Sequence, residues 1–193
     1  MRHFVYFSRH GRTSGNFQSD ELMKAGRMDI AIHVIIAGFF LSHDLRKDVK
    51  IHLILYGMPD PPKHIEMQIK PQLEISKKDV ANLIKKILYK YKKGKKSEVF
   101  PGCFVEKKSF LKVIEELQSH EREIFILDKS GEDIRETKIP EDCVFVLGDH
   151  EGLPKKEMKR LKKIAKKISI GPKIYFASHV VAVINNELDR RGI

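Results

Sequence analysis

Six short segments rich in β-branched and aromatic residues alternate with helical patterns along this chain, and that alternation constrains the fold most. The strand-like segments are Phe4–Phe7, Val49–Tyr56, Ile65–Ile69, Ile124–Leu127, Val144–Leu147 and Ile168–Ile170, rich in the residues that favour a pleated surface. Between them, apolar residues recur at helical spacing over Leu22–Ser42, Lys77–Tyr91, Ser109–Gln118, Lys155–Lys166 and Ile174–Asp189. Strands separated by helices return to a sheet in the same direction, so the pattern predicts an α/β fold: a largely parallel sheet flanked by helices. The 193 residues form one domain, with no repeat or long linker to divide them and enough length for a core without staples.

Local patterns refine this outline. Ile65, Met67 and Ile69 alternate with Glu66, Gln68 and Lys70, the period of a strand with one wet face, as at a sheet edge or in a hairpin. Ser76 and Asp79 form a capping pair before a helix whose apolar stripe is Val80, Leu83, Ile84, Ile87, Leu88 and Tyr91. Met58–Lys63 (MPDPPK) is a proline-fixed turn. Ile30–Leu41 (IAIHVIIAGFFL) is apolar nearly all round, yet it is well short of the roughly twenty residues a membrane span needs. It reads as a helix covered on every side, deep in the core or against a second subunit.

Lys and Arg total 37 against 26 Asp and Glu, a formal charge of +11. Such an excess places a polyanion, nucleic acid above all, first among partners. Two basic runs, Lys85–Lys96 and Lys155–Lys167, are either phosphate-tracking faces or solvated helix surfaces. Cys103 and Cys143 are far apart, without a pairing motif, and read as reduced, buried thiols. The N-terminus starts like a strand and not like a secretion signal, so a cytoplasmic protein is expected.

The last quarter carries the clearest ligand signal. Val144–Gly148 runs into Asp149 and His150, and Ile168–Lys173 (ISIGPK) runs into a helix ending NNELDRR. Each is an apolar strand broken by glycine and followed by a helix. Glycine at 148 and 171 permits positive φ and close approach of main chain to a ligand, and the carboxyl ends of strands are where open α/β sheets bind ligands. The two loops either grip one ligand from two sides or are ordinary connections. There is no GxxxxGK[ST] loop, no GxGxxG after the first strand, no GxSxG elbow and no HExxH pair, which leaves nucleotide-hydrolysing, Rossmann, serine-hydrolase and zincin chemistry without support, and no metal site is expected.

Four blocks in order, Lys24–Asp29 (KAGRMD), Leu41–Arg46 (LSHDLR), VLGDH at 146–150, and ISIGPK with NNELDRR, resemble the tRNA pseudouridine N1-methyltransferases of the SPOUT class. The AGR block before a long apolar helix is also similar to the ribosome-biogenesis pseudouridine N1-methyltransferases. The resemblance implies a C-terminal trefoil knot, a homodimer, S-adenosylmethionine as cofactor and tRNA as partner. It implies a cofactor pocket lined by Leu127, Leu147, Gly148, Asp149, Ile170, Gly171, Pro172, Lys173, Ile174, Tyr175 and Val180. The run Ser178, His179, Val180 departs from relatives that often carry cysteine after the histidine, so Val180 offers apolar contact and no thiol.

The implied reaction needs the N1–H of pseudouridine to be lost, and Arg27 and Asp29 are the candidates to assist it. Asp29 is equally suited to the first turn of a helix. Arg12, Arg27 and Arg46 are candidate phosphate contacts. Other readings are methylation of an rRNA pseudouridine, and a non-enzymatic RNA-binding module on a degenerate knot.

Overall fold

A computed structural model describes residues 1–193. In chain order the elements are β1 (Arg2–Ser8), α1 (Met28–Phe39), β2 (Val49–Leu55), β3 (Lys63–Gln68), α2 (Val80–Tyr89), β4 (Ser97–Phe100) and β5 (Cys103–Glu106). They continue with α3 (Phe110–Ser119), β6 (Glu123–Asp133), β7 (Cys143–Gly148), α4 (Lys155–Ile164), β8 (Lys166–Ser169) and α5 (Ala177–Arg191). The eight strands form one sheet in the order β4-β5-β3-β2-β1-β7-β6-β8.

The sheet is mixed, which corrects the parallel expectation for one side of it. From β2 through β1, β7 and β6 to β8 the pairing is parallel, whereas β3, β5 and β4 join antiparallel. The proline turn folds β3 directly back on β2, so no helix intervenes to restore a parallel direction. β3 is in a hairpin as its alternation suggested, but β5 covers its outer edge. The strands β4 and β5 escape the sequence pattern because they have only four residues each. They turn at Pro101 and Gly102, the glycine at φ 77°.

Alternation along the strands divides the core in two. Phe4, Tyr6, Ile51, Leu53, Phe145 and Leu147 face α1, α2 and α5, while Val5, Phe7, Ile54, Val144 and Val146 face α3 and α4. The apolar segment after Asp29 is α1, buried at Met28, Ala31, Ile32, Val34, Ile35, Gly38 and Phe39. Its outer side is less covered: Ile30, Ile36 and Ala37 are half-buried and His33 is exposed.

Several boundaries move for local reasons. α1 starts at Met28, not Leu22, because Gly26 and Arg27 take left-handed φ values of 71° and 63° that end the preceding turns. α5 starts at Ala177, leaving Ile174, Tyr175 and Phe176 in an exposed loop. At the start of α2, Ser76 Oγ donates to Asp79 Oδ2 at 2.8 Å. The two side chains thus pair with each other, and Asp79 provides no side-chain cap to the helix. No helix is long and apolar enough to cross a membrane.

Candidate functional site

Parallel strands place their carboxyl ends on one edge of the sheet, and there β6, β7 and β8 open into a cavity of about 720 Å³. Loops after β7 and β8 form two walls, and Ile30 of α1 closes a third side. Leu127, Leu147, Gly148, Asp149, Ile170, Gly171, Lys173, Ile174, Tyr175 and Val180 all line it. Pro172 is exposed and outside the lining. Its neighbours on both sides face the cavity, so the proline shapes the turn between them.

The two glycines serve different ends. Gly171 has φ 142°, a conformation side-chain-bearing residues avoid. Gly148 needs no unusual φ; instead a Cβ there would meet the carbonyl carbon of Gly152 at 2.4 Å. Close packing of the loop on itself therefore explains Gly148, in place of the positive φ expected from the sequence.

Main-chain donors fix the loop after β7. The Asp149 carboxylate accepts from Arg9 N–H at 2.7 Å and from Glu151 N–H at 2.9 Å, and the Asp149 carbonyl accepts from Gly152 N–H at 2.9 Å. Glu151 in turn pairs with Arg9 at 3.0 Å. At the second loop, Ser169 Oγ accepts from Gly171 N–H at 3.2 Å and lies 3.0 Å from the Gly171 carbonyl. Asp128, past the end of the regular part of β6, pairs with Lys167 at 2.7 Å. That contact, with the donors of Ser130, holds its carboxyl far below the ordinary carboxylate range.

Arg27 and Asp29 form a two-pronged ion pair just before Ile30. Arg27 Nε donates to Asp29 Oδ1 at 3.0 Å and an Nη to Oδ2 at 2.9 Å. The hydrogen bonds from Arg27 keep the Asp29 carboxyl below its ordinary value, and the carboxylate raises the guanidinium. Arg27 retains 37% of its side-chain surface, against 21% for Asp29. The hydroxyl of Tyr6 is buried near this pair without a well-formed hydrogen bond. Burial, reinforced by the charge of Asp149 and opposed by the nearby Ser8 hydroxyl, pushes that phenol well up.

The other two arginines differ sharply. Arg12 follows β1, with its amide donating to the Ala25 carbonyl at 3.2 Å and its side chain half-buried. Arg46 is engaged within the fold: its guanidinium donates to Asp189 Oδ1 at 2.7 Å and pairs with Oδ2, and its side chain is 11% exposed. A phosphate contact from Arg46 would have to displace that carboxylate. Both lysine runs face solvent along most of their length, while Leu161 of α4 is buried.

Sequence reasoning missed Ile30, Asp128, Lys129, Ser169, Phe176 and His179, which also line the cavity. Asp128 and Ser169 adjoin predicted residues at strand ends, and that position was the signal available for them. Ile30 is brought in only by the packing of α1, which local pattern does not reveal. His150, a loop histidine without a partner motif in the sequence, lines the cavity as well.

A family model described as "Putative SAM-dependent RNA methyltransferase" matches residues 1–193. The chain belongs to this family. Among methyltransferase relatives, the "tRNA (pseudouridine(54)-N(1))-methyltransferase" of Methanococcoides burtonii is 38% identical over 195 residues, covering 98% of this chain and 96% of the relative. The Pyrococcus abyssi protein of the same name is 36% identical, with 100% of both chains covered. In fold, the methyltransferase chain is similar to Archaeoglobus fulgidus Nep1, whose crystal structure is bound to S-adenosylhomocysteine. The TM-score is 0.64 at 12% identity, covering 100% of this chain and 99% of that one.

Proposed function

We propose that this protein transfers a methyl group from S-adenosylmethionine to N1 of the pseudouridine at position 54 in the T loop of tRNA, the reaction for which its full-length relatives are named. The observation that carries the reading is the cavity at the ends of β6, β7 and β8, with the Arg27–Asp29 pair one residue from its Ile30 wall.

The cavity fits the cofactor. Its volume of about 720 Å³ is within the range of small-molecule sites, and it pairs apolar walls with a few polar groups, as such sites do. Leu127, Leu147, Ile170 and Val180 offer apolar surface, and the loops at Gly148 and Gly171 offer main-chain groups. When bound, S-adenosylmethionine supplies an electrophilic methyl group on a sulfonium. Asp149 contributes to binding by holding its loop in shape through Arg9 and Glu151.

The chain must also help the nucleophile shed its proton. In pseudouridine the base joins ribose through carbon, which leaves N1–H free as an imide-like acid, and its proton passes to solvent water as N1 is alkylated. The partly exposed Arg27 guanidinium stabilises negative charge developing on the uracil carbonyl. Asp29, its basicity reduced by Arg27, orients the guanidinium instead of acting as the proton acceptor. Reaching a base inside a folded T loop requires it to be turned out of its stack.

The proposal includes a knotted C-terminal region and a homodimer. Support for the knot comes from Ile168 of β8, which pairs with both Leu127 and Glu132 of the bent β6. A Cβ at Gly131 would lie 2.5 Å from the Ile168 amide nitrogen, so β6 wraps closely around β8. Support for the dimer comes from the apolar surface at the cavity mouth, where Ile174 is 90% and Phe176 73% exposed.

Methyl incorporation into tRNA transcripts with and without pseudouridine tests the activity. Labelling confined to the pseudouridine-bearing tRNA is expected. Equal labelling of uridine-only RNA overturns the assignment.

A further inference from the structure

Away from the cavity, three buried histidines form a row across the sheet between two carboxylates. His3 Nδ1 is 3.1 Å from His52 Nε2, His52 Nδ1 is 3.0 Å from His64 Nε2, and His64 Nδ1 is 3.0 Å from Glu106 Oε1. At the other end His3 Nε2 is 3.4 Å from Asp142 Oδ1. Each of the three residues is 2% exposed. Ring centroids are 5.4 and 5.2 Å apart with interplanar angles of 15° and 13°. Such separations equal the nitrogen–nitrogen distance plus two ring radii, so the nearly coplanar rings meet head-on, edge to edge.

Head-on geometry leaves no room for a metal on the line between the rings: His52 Nδ1 and His64 Nε2 face each other across 3.0 Å, where a zinc ion would need about 2.0 Å to each nitrogen. An ion off that line, toward Glu66, which lies within reach of the same two rings, would need both rings to turn, because their lone pairs point at each other and not at a common point. A shared hydrogen fits the gap. Four contacts in the row require four hydrogens, and three neutral imidazoles carry three.

The carboxylates decide which contact goes short. Burial opposes ionisation of Glu106, but hydrogen bonds from His64 and Lys108 pull it down to about 2. Ionised, it accepts from His64 Nδ1–H. His64 Nε2 must then accept from His52 Nδ1–H, and His52 Nε2 from His3 Nδ1–H. The remaining lone pair, on His3 Nε2, faces Asp142. That atom is buried without a hydrogen-bond partner and belongs to the longest of the four contacts. Asp142 itself is gripped by Arg122 Nε at 3.0 and 2.9 Å.

We infer that the row is a proton-binding site: neutral, it holds every ring as the Nδ1–H tautomer, and it takes up one proton, at His3 Nε2, as a single unit. Uptake closes the fourth contact onto Asp142 and spreads the charge along the row toward Glu106. Arg122, Lys50 and the N-terminus oppose uptake at His3, with Asp142 favouring it. Lys50 and Lys96 face His52, and Glu66, Glu106 and Lys108 face His64. On the helix side, α3 presents apolar residues such as Phe110 and Ile114, with Glu116 reached only through Lys108.

Nitrogen-15 NMR of the histidine-labelled full-length protein, titrated from neutral to acidic pH, tests this. Three Nδ1–H tautomers are expected at neutral pH, with one step on acidification that moves all three rings together. Asp142→Asn offers an N–H to His3 Nε2 and so satisfies the neutral row. It is expected to preserve the tautomers and move the step down by about one pH unit or more. An Nε2–H tautomer at any of the three rings, separate steps for each, or an unchanged step in Asp142→Asn overturns the inference. The tautomer pattern of the unsubstituted protein decides it even if the variant does not fold.

Discussion

Arg46 and Asp189, 143 positions apart in sequence, are joined by a two-pronged ion pair that ties the approach to β2 to the last turns of α5. The same carboxylate pairs with Arg2 at 2.8 Å, and Arg2 is only 5% exposed. Asp189 thus balances two guanidinium groups, one of them buried. Asp189→Asn takes a carboxylate from both, leaving Arg2 with Asp48 at 3.3 Å, and a loss of about 1–3 kcal/mol in folding stability is expected from urea unfolding. Cofactor affinity, whose site lies at the opposite end of α5, is expected to change little by calorimetry.

At Gly148 a single added carbon has nowhere to go. An alanine Cβ would stand 2.4 Å from the Gly152 carbonyl carbon and 2.7 Å from Leu153 N, all main-chain atoms that cannot rotate away. Gly148→Ala is expected to displace the loop after β7 and weaken S-adenosylmethionine binding by about tenfold or more, measured by calorimetry. The far-ultraviolet circular dichroism should stay that of the unsubstituted protein.

How much of this was legible in sequence follows from the range of the forces involved. The strand ends at Leu127, Leu147 and Ile170 are local patterns, so the pocket walls could be placed on the chain before any contact was known. The blocks around Arg27 and Asp29 carried the family resemblance. Ile30 reaches the cavity only because α1 packs on β1 and α5, and Arg46 meets Asp189 only after the chain has folded over its whole length. The buried histidine row is the extreme case. His3, His52 and His64 are scattered in sequence and become a row only through the strand registers β1–β2 and β2–β3.

Arg27 and Asp29 separate binding from transfer. Arg27→Lys keeps the charge but loses the planar fork that Asp29 accepts. Single-turnover methyl transfer to pseudouridine-bearing tRNA is expected to fall on the order of a hundredfold, as for loss of one oriented charge-stabilising donor. S-adenosylmethionine affinity should remain within a few-fold. Asp29→Asn keeps an oxygen acceptor for the guanidinium, so a smaller loss is expected. An equal or larger loss in Asp29→Asn would instead give the carboxylate the role of proton acceptor.

Acid should destabilise the protein in two stages. Burial, aided by Arg122 and Lys50, pushes His3 from the ordinary 6.5 to about 4. The unfolded chain therefore binds a proton near 6.5 that the folded chain refuses until about 4, so stability is full above the higher value and lost as pH falls toward the lower. The shift corresponds to a loss on the order of 3 kcal/mol for this one ring. Glu106, pulled down to about 2 by His64 and Lys108 against the cost of burial, acts in the same direction at lower pH. Its stabilising effect is present above the ordinary glutamate value and disappears as pH falls through about 2. Urea midpoints measured across this range should be flat above 6.5, decline between 6.5 and 4, and decline again below the ordinary glutamate value. Burial lowers His52 and His64 as well, so they contribute to the same decline. His3→Gln removes the ring at which the row takes up its proton and is expected to make the upper decline shallower, and an unaltered upper decline in that variant would mean that His3 is no part of its source.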